Sequence, residues 1–299
     1  HFYIKACPQV SDQARLATAM AQWRPVTRLS SLEALVSSNG GLSAGNSSSF
    51  GARLHQVLGG LPAVVELPPG AVCGSFPSGT ALLNTLAEAK VEERPTATVA
   101  RSGGAFHAAD LQRPSVAQWL AGEGGPLIFD TCRSGELQHA TRDSLGVRVP
   151  PELRGWSRSP IVTLGRPRRA STAAASTAEA GGLAFHMHER NWLYLASGRK
   201  RWYFRAGGLG EPPATAQTRV TEDELRSREL ATATADVALL TLDQRPGEIV
   251  LLPDGLWHCT YNLRAAEGEG DSDEVVVGFG GPAGGVRRAQ RGHTASEAS

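Results

Sequence analysis

Net charge is the first thing this chain lacks: 30 lysines and arginines stand against 29 aspartates and glutamates, a formal charge of +1 in 299 residues. So close a balance removes the bulk electrostatic attraction that brings proteins to nucleic acid or to anionic membranes, and neither is expected as a partner. The short basic runs at 166–169 and 287–291 read as solvated loop and tail. Long apolar runs are missing too. Nothing approaches the roughly 18 residues that a membrane-spanning helix needs, so the expectation is a soluble chain, cytoplasmic or nuclear. The chain starts at His1, which leaves room for a targeting segment ahead of it. Cysteine is scarce and scattered: Cys7, Cys73, Cys132 and Cys259 form no C-x-x-C pair, which gives neither a zinc ribbon nor a disulfide framework. That usage leans toward a reducing compartment.

What is present is enough apolar residue, 41% of the chain, to bury one principal core. Residues 1–94 read as a helical, loop-rich region packed against the main domain. Helical patterns cover 11–23, 31–36, 50–58 and 79–91, separated by Gly, Ser and Pro clusters. From Pro95 the texture changes to short strands. Ten are expected, over 96–101, 126–129, 161–164, 183–188, 192–196, 201–205, 237–242, 248–252, 257–263 and 274–279. One helix at 115–120 interrupts them, and 211–234 reads as a partly helical insertion whose helix starts at Thr221. Many short strands between turns point to an antiparallel barrel or sandwich, mainly β, spanning 95–282. The small-residue segment ahead of Gly182 reads as a mobile loop and the tail at 283–299 as disordered.

Within that β region the segment FHMHERNWLYLASGRK, residues 185–200, carries the chemistry. His186 and His188 are alternate residues on a predicted strand and so share a face, where both imidazoles can aim at one point. A third histidine, His258, lies on another strong strand pattern, after the turn formed by Pro253, Asp254 and Gly255. Three neutral imidazoles make a metal site suited to iron, zinc, copper or nickel. In RKRWYF the same alternation puts Lys200, Trp202 and Phe204 on one face and predicts that Lys200 points inward. Trp192, Tyr194 and Tyr203 read as barrel packing rather than as a peptide groove.

The order of these parts resembles the JmjC domain of the cupin superfamily: His-x-His, Asn191, the Gly198 to Trp202 turn and strand, a long gap, then Pro-Gly-Glu, Trp257-His258 and Asn262. The resemblance covers about 95–282. It implies a double-stranded β-helix, a jelly-roll with the metal in its mouth, and an iron(II) and 2-oxoglutarate dependent dioxygenase that hydroxylates or demethylates a protein side chain. It places the metal on His186 and His258. Lys200 falls on the lysine that pairs with the distal carboxylate of 2-oxoglutarate, and Asn191 and Asn262 on residues that line the cosubstrate pocket.

The chain departs from the family pattern at the second ligand. Members with oxygenase activity carry Asp or Glu where this chain has His188. His188 is taken as the third ligand here, and Glu189 is a replacement carboxylate only if a bulge turns it inward. Leu183 also stands where many members have Thr or Ser, and Arg205-Ala206 replace a Pro-Pro. Three readings follow: an oxygenase acting on a protein or peptide; a catalytically silent JmjC-like scaffold used for binding or regulation; and a metal-dependent cupin, with zinc or another divalent ion, that uses no 2-oxoglutarate.

Overall fold

In the computed structural model, residues 23–29, 60–74, 79–87, 115–121, 127–130, 141–150, 153, 161–165, 182–188, 190–207, 212–216, 218, 220–263 and 275–282 are described. Among them are twelve strands, three helices bounded within the described residues and a helical turn at 141–144. The strands are β1 (Trp23–Pro25), β2 (Thr27–Leu29), β3 (Ala63–Glu66), β4 (Leu127–Asp130), β5 (Ile161–Gly165), β6 (Gly182–His186), β7 (Asn191–Ser197), β8 (Arg199–Gly207), β9 (Val237–Gln244), β10 (Glu248–Leu252), β11 (Trp257–Leu263) and β12 (Val276–Pro282). The helices are α1 (Gly79–Asn84), α2 (Val116–Leu120) and α3 (Glu222–Thr232). No helix among the described residues is long and apolar enough to cross a membrane.

The strands form two sheets, ordered β1-β9-β8-β11-β6 and β2-β3-β10-β7-β12-β5-β4. The protein is thus mainly β. Both sheets are mixed, because β1 joins β9 and β2 joins β3 in parallel while the other pairings are antiparallel. From β5 onward the chain passes repeatedly from one sheet to the other: β5, β7, β10 and β12 lie in the larger sheet, and β6, β8, β9 and β11 in the smaller.

Burial on both faces explains why several strands are apolar without interruption. In β10 every residue is buried, yet Val250 and Leu252 enter the core between the sheets while Ile249 and Leu251 face outward. The inter-sheet core also holds Leu193, Trp202, Phe204, Leu240 and Leu242. Outside the larger sheet, Leu82 and Leu83 of α1 and Trp119 of α2 cover Trp192, Tyr194 and Phe279. Outside the smaller sheet, Leu225 of α3 covers Phe185, Tyr203, Trp257 and Cys259. Trp192, Tyr194 and Tyr203 are packing residues, as the sequence suggests.

The helix starts follow their sequence signals. Ser115 caps α2 in a reciprocal capping box with Gln118, and Thr221 caps α3 by accepting from the Glu224 amide. The insertion is bolted to the outside of the smaller sheet. Arg201 grips Asp243 through two hydrogen bonds of 2.5 and 2.8 Å and reaches Glu222 at 2.7 Å; Tyr203 also donates to Glu222. Arg205 meets the fully buried Glu229 at 3.1 Å, and Glu229 accepts from the Thr215 amide and hydroxyl.

The described residues before 94 contain the expected helix from Gly79 and, in addition, three strands that the pattern did not announce. β3 pairs with β10 and β1 with β9, so this segment extends both sheets. Its strand character was hidden because Ala63–Glu66 is too short to show a period, and its partner lies more than 180 residues away. Strand β6 ends at His186, so His188 lies beyond it and its position does not come from strand alternation. The expected helices at 31–36 and 50–58, most of that at 11–23, the strand at 96–101, the loop before 182, Glu189 and the tail lie outside the described residues.

Candidate metal centre

Alternation along β11 sends Trp257 and Cys259 outward and His258, Thr260 and Asn262 toward the other sheet. His258 stands opposite His186 in the β6–β11 register, with ring centroids 4.3 Å apart. His188, on the connection to β7, brings its ring to 4.6 Å from His258 and 5.5 Å from His186. One ligand atom from each of the three lies within 4.8 Å of the others. Sequence reasoning nominated all three, and the fold gathers them.

Their chemistry suits a divalent metal. The Nδ1 of His186 lies 2.8 Å from the Ala184 carbonyl oxygen, and the Nδ1 of His258 lies 2.8 Å from that of Leu256. A carbonyl only accepts, so each Nδ1 carries the proton and each Nε2 keeps its lone pair for an ion. Burial pushes His186 down to about 4 against the opposing pull of its backbone partner, and His188 lowers it further. Burial, then the neighbouring His186 and His188, hold His258 well below its ordinary value. These two imidazoles are therefore uncharged at neutral pH and need lose no proton to bind a metal.

Lys200 lies on the inward face of β8 with Trp202 and Phe204, 3% exposed. Its Nζ donates to Asn262 Oδ1 at 3.0 Å, and no carboxylate pairs with it among the described residues. Burial lowers its pKa to about 8. The Nδ2 of Asn262 is itself buried and has no hydrogen-bond partner among the described residues. The ammonium has a neutral acceptor but no anion among the described residues, and the amide N–H pair beside it has no acceptor, both out of water. Asn191 is differently engaged. Its Oδ1 accepts from the Trp192 and Gly281 amides at 2.7 and 3.2 Å, pinning the start of β7 to β12, so only its amide N–H groups remain to offer a ligand.

One residue that sequence reasoning missed makes room for this arrangement. A Cβ at Gly165, on β5 in the opposite sheet, would fall 1.8 Å from Asn262 Nδ2. Gly165→Ala is expected to displace that amide and cost about 1–3 kcal/mol, read as a lower denaturant midpoint at constant m. An unchanged midpoint would mean that Asn262 does not occupy this space. No local signal marks Gly165, because its requirement comes from a strand 97 residues away.

No family model matches the chain, and no curated protein sequence does. Among solved structures it is similar to YcfD, a ribosomal oxygenase from Escherichia coli, in complex with cobalt and succinic acid, at 12% identity and a TM-score of 0.36. A second YcfD structure is similar at 13% identity and the same TM-score. In both cases 76% of this chain is covered and 49% of the other, so the chain spans about half the length of the solved structures it matches. At that level of likeness the functional reading rests on the chain's own residues.

Proposed function

We propose that this chain is a JmjC-type oxygenase built on a double-stranded β-helix, dependent on iron(II) and 2-oxoglutarate, that hydroxylates or demethylates a protein side chain. The repeated passage between two facing sheets from β5 to β12 supports the barrel assignment over about 95–282. The observation that carries the functional reading is the buried Lys200, without an anionic partner among the described residues, in the same interior as three convergent histidines. A metal scaffold alone has no use for such a cation, which costs several kcal/mol to bury uncompensated.

His186, His188 and His258 would hold the iron, which when bound supplies the activation of dioxygen that side chains cannot. Lys200 and the Asn262 amide would receive the distal carboxylate of the cosubstrate, and Asn191, at the other end of β7, would offer its amide N–H groups to the same ligand. Asn262 lies four residues beyond His258 on β11, about 13 Å at the usual rise. A ligand that meets both Lys200 and the histidines would lie along this face of β11 with its anionic end at Lys200. Trp202, Phe204 and Leu193 wall the interior and exclude water, which strengthens every charge interaction inside it.

The direct test is anaerobic titration of the iron(II)-loaded protein with 2-oxoglutarate, following the weak visible charge-transfer band. Its appearance is expected; its absence in protein holding stoichiometric iron would overturn the cosubstrate assignment. The second reading, a silent scaffold, is favoured by one observation: the described cluster holds three histidines and no carboxylate. His188→Asp separates the two. If three-histidine chemistry operates, the variant loses turnover; on the scaffold reading there is no turnover to lose, and binding of a protein partner is unchanged. A zinc-dependent cupin without 2-oxoglutarate would bind zinc in place of iron and leave the charge-transfer band absent.

A further inference from the structure

Two of the three histidines are oriented from a single turn. Residues Pro253 to Leu256 connect β10 to β11, and Gly255 sits there at φ +70°, a conformation glycine adopts without strain. The Gly255 amide donates to the carbonyl oxygen of His188 at 3.0 Å. One residue earlier, Asp254 accepts through Oδ1 from the Arg190 amide at 2.7 Å and faces the Arg190 Nε through Oδ2 at 3.4 Å. One residue later, the Leu256 carbonyl receives His258 Nδ1. His188 has no strand to fix it, since β6 ends two residues before it. Its backbone is instead held on one side by Gly255 and, two residues on, by the carboxylate of Asp254.

We infer that Asp254 is a positioning residue for the metal centre: through Arg190 it sets the connection that carries His188, and its own turn sets His258. This rests on the metal-centre reading above. The bond donated by Gly255 to His188 and the bond accepted by Asp254 from Arg190 tie the connection that carries His188 to the turn that leads into His258. The short Arg190 amide contact does most of the holding, because the ion pair to the Arg190 side chain is longer, half-exposed and worth little. Partners that orient metal ligands in this way typically change metal affinity 10–100-fold.

The test is titration of the full chain with cobalt(II) chloride, reading affinity and the visible ligand-field spectrum, for wild type, Asp254→Ala and Asp254→Asn. Asp254→Ala is expected to bind cobalt about 10–100-fold more weakly, with a spectrum altered toward fewer protein ligands. The melting temperature of the metal-free protein should stay unchanged. Asp254→Asn keeps an oxygen for the Arg190 amide and is expected to restore most of the affinity and the wild-type spectrum. Wild-type affinity and spectrum in Asp254→Ala would overturn the assignment alone, as would equal losses in both variants accompanied by a lower melting temperature. Wild-type protein that takes up no cobalt would overturn the metal-centre reading and this assignment with it.

Discussion

Lys200→Met is expected to abolish tight 2-oxoglutarate binding while leaving metal content intact. Removing one partner of a buried charge pair costs about 2–5 kcal/mol, or roughly 30- to 4,000-fold in affinity. In the ligand-free protein the effect runs the other way. Lys200 titrates at about 8 in the fold against an ordinary 10.5, so its burial in the charged form costs about 3 kcal/mol below pH 8. Methionine removes that penalty but leaves Asn262 Oδ1 without its donor, a loss of about 1–3 kcal/mol. The net change at pH 7 is therefore small, and pH dependence is the sharper readout. Between pH 8 and 10.5 the unfolded chain holds a proton on this lysine that the folded protein has given up. Wild-type stability should accordingly rise across that window relative to the variant. Calorimetric titration and denaturant melts at several pH values measure both. Equal cosubstrate affinity would remove Lys200 from its role, and a flat difference across the window would show that its charge is compensated in the free protein.

His258→Ala is expected to eliminate the stabilisation that metal confers. His258 is the hub of the cluster, closer to both other rings than they are to each other. At a metal concentration 100 times the dissociation constant, binding to the folded state alone adds about 2.7 kcal/mol. For a chain of this size that is about 4 °C in melting temperature. The variant starts from a lower baseline because a buried ring is lost, so the quantity to compare is the shift between metal-free and metal-loaded samples. A shift near zero in the variant and several degrees in the wild type is the expected pair. Equal shifts would place the ion elsewhere, and no wild-type shift with iron, cobalt or zinc would mean that the histidines are not a metal site.

Local pattern carried much of this far. Strands β10 and β11 occupy the bounds expected from their apolar runs, and the caps at Ser115 and Thr221 start their helices where the capping residues stand. His186, His258 and the inward side of Lys200 were legible because a strand repeats every two residues and chemistry recurs on one face. Other features had no local signature. Strands β1 to β3 are too short to declare a period and exist by pairing with distant partners. The pattern also extended β6 to His188, whereas the strand stops at His186 and the histidine is placed by Gly255 and Asp254 across 64 residues or more. Gly165 shows the same limit, since its missing Cβ makes room for Asn262 from the opposite sheet. By itself the sequence determined which residue types could meet, because backbone periodicity is a local property. Only the tertiary structure decided which of them do meet and at what distance, because sheet pairing, turn-to-loop hydrogen bonds and inter-sheet clearance are set by segments far apart in the chain.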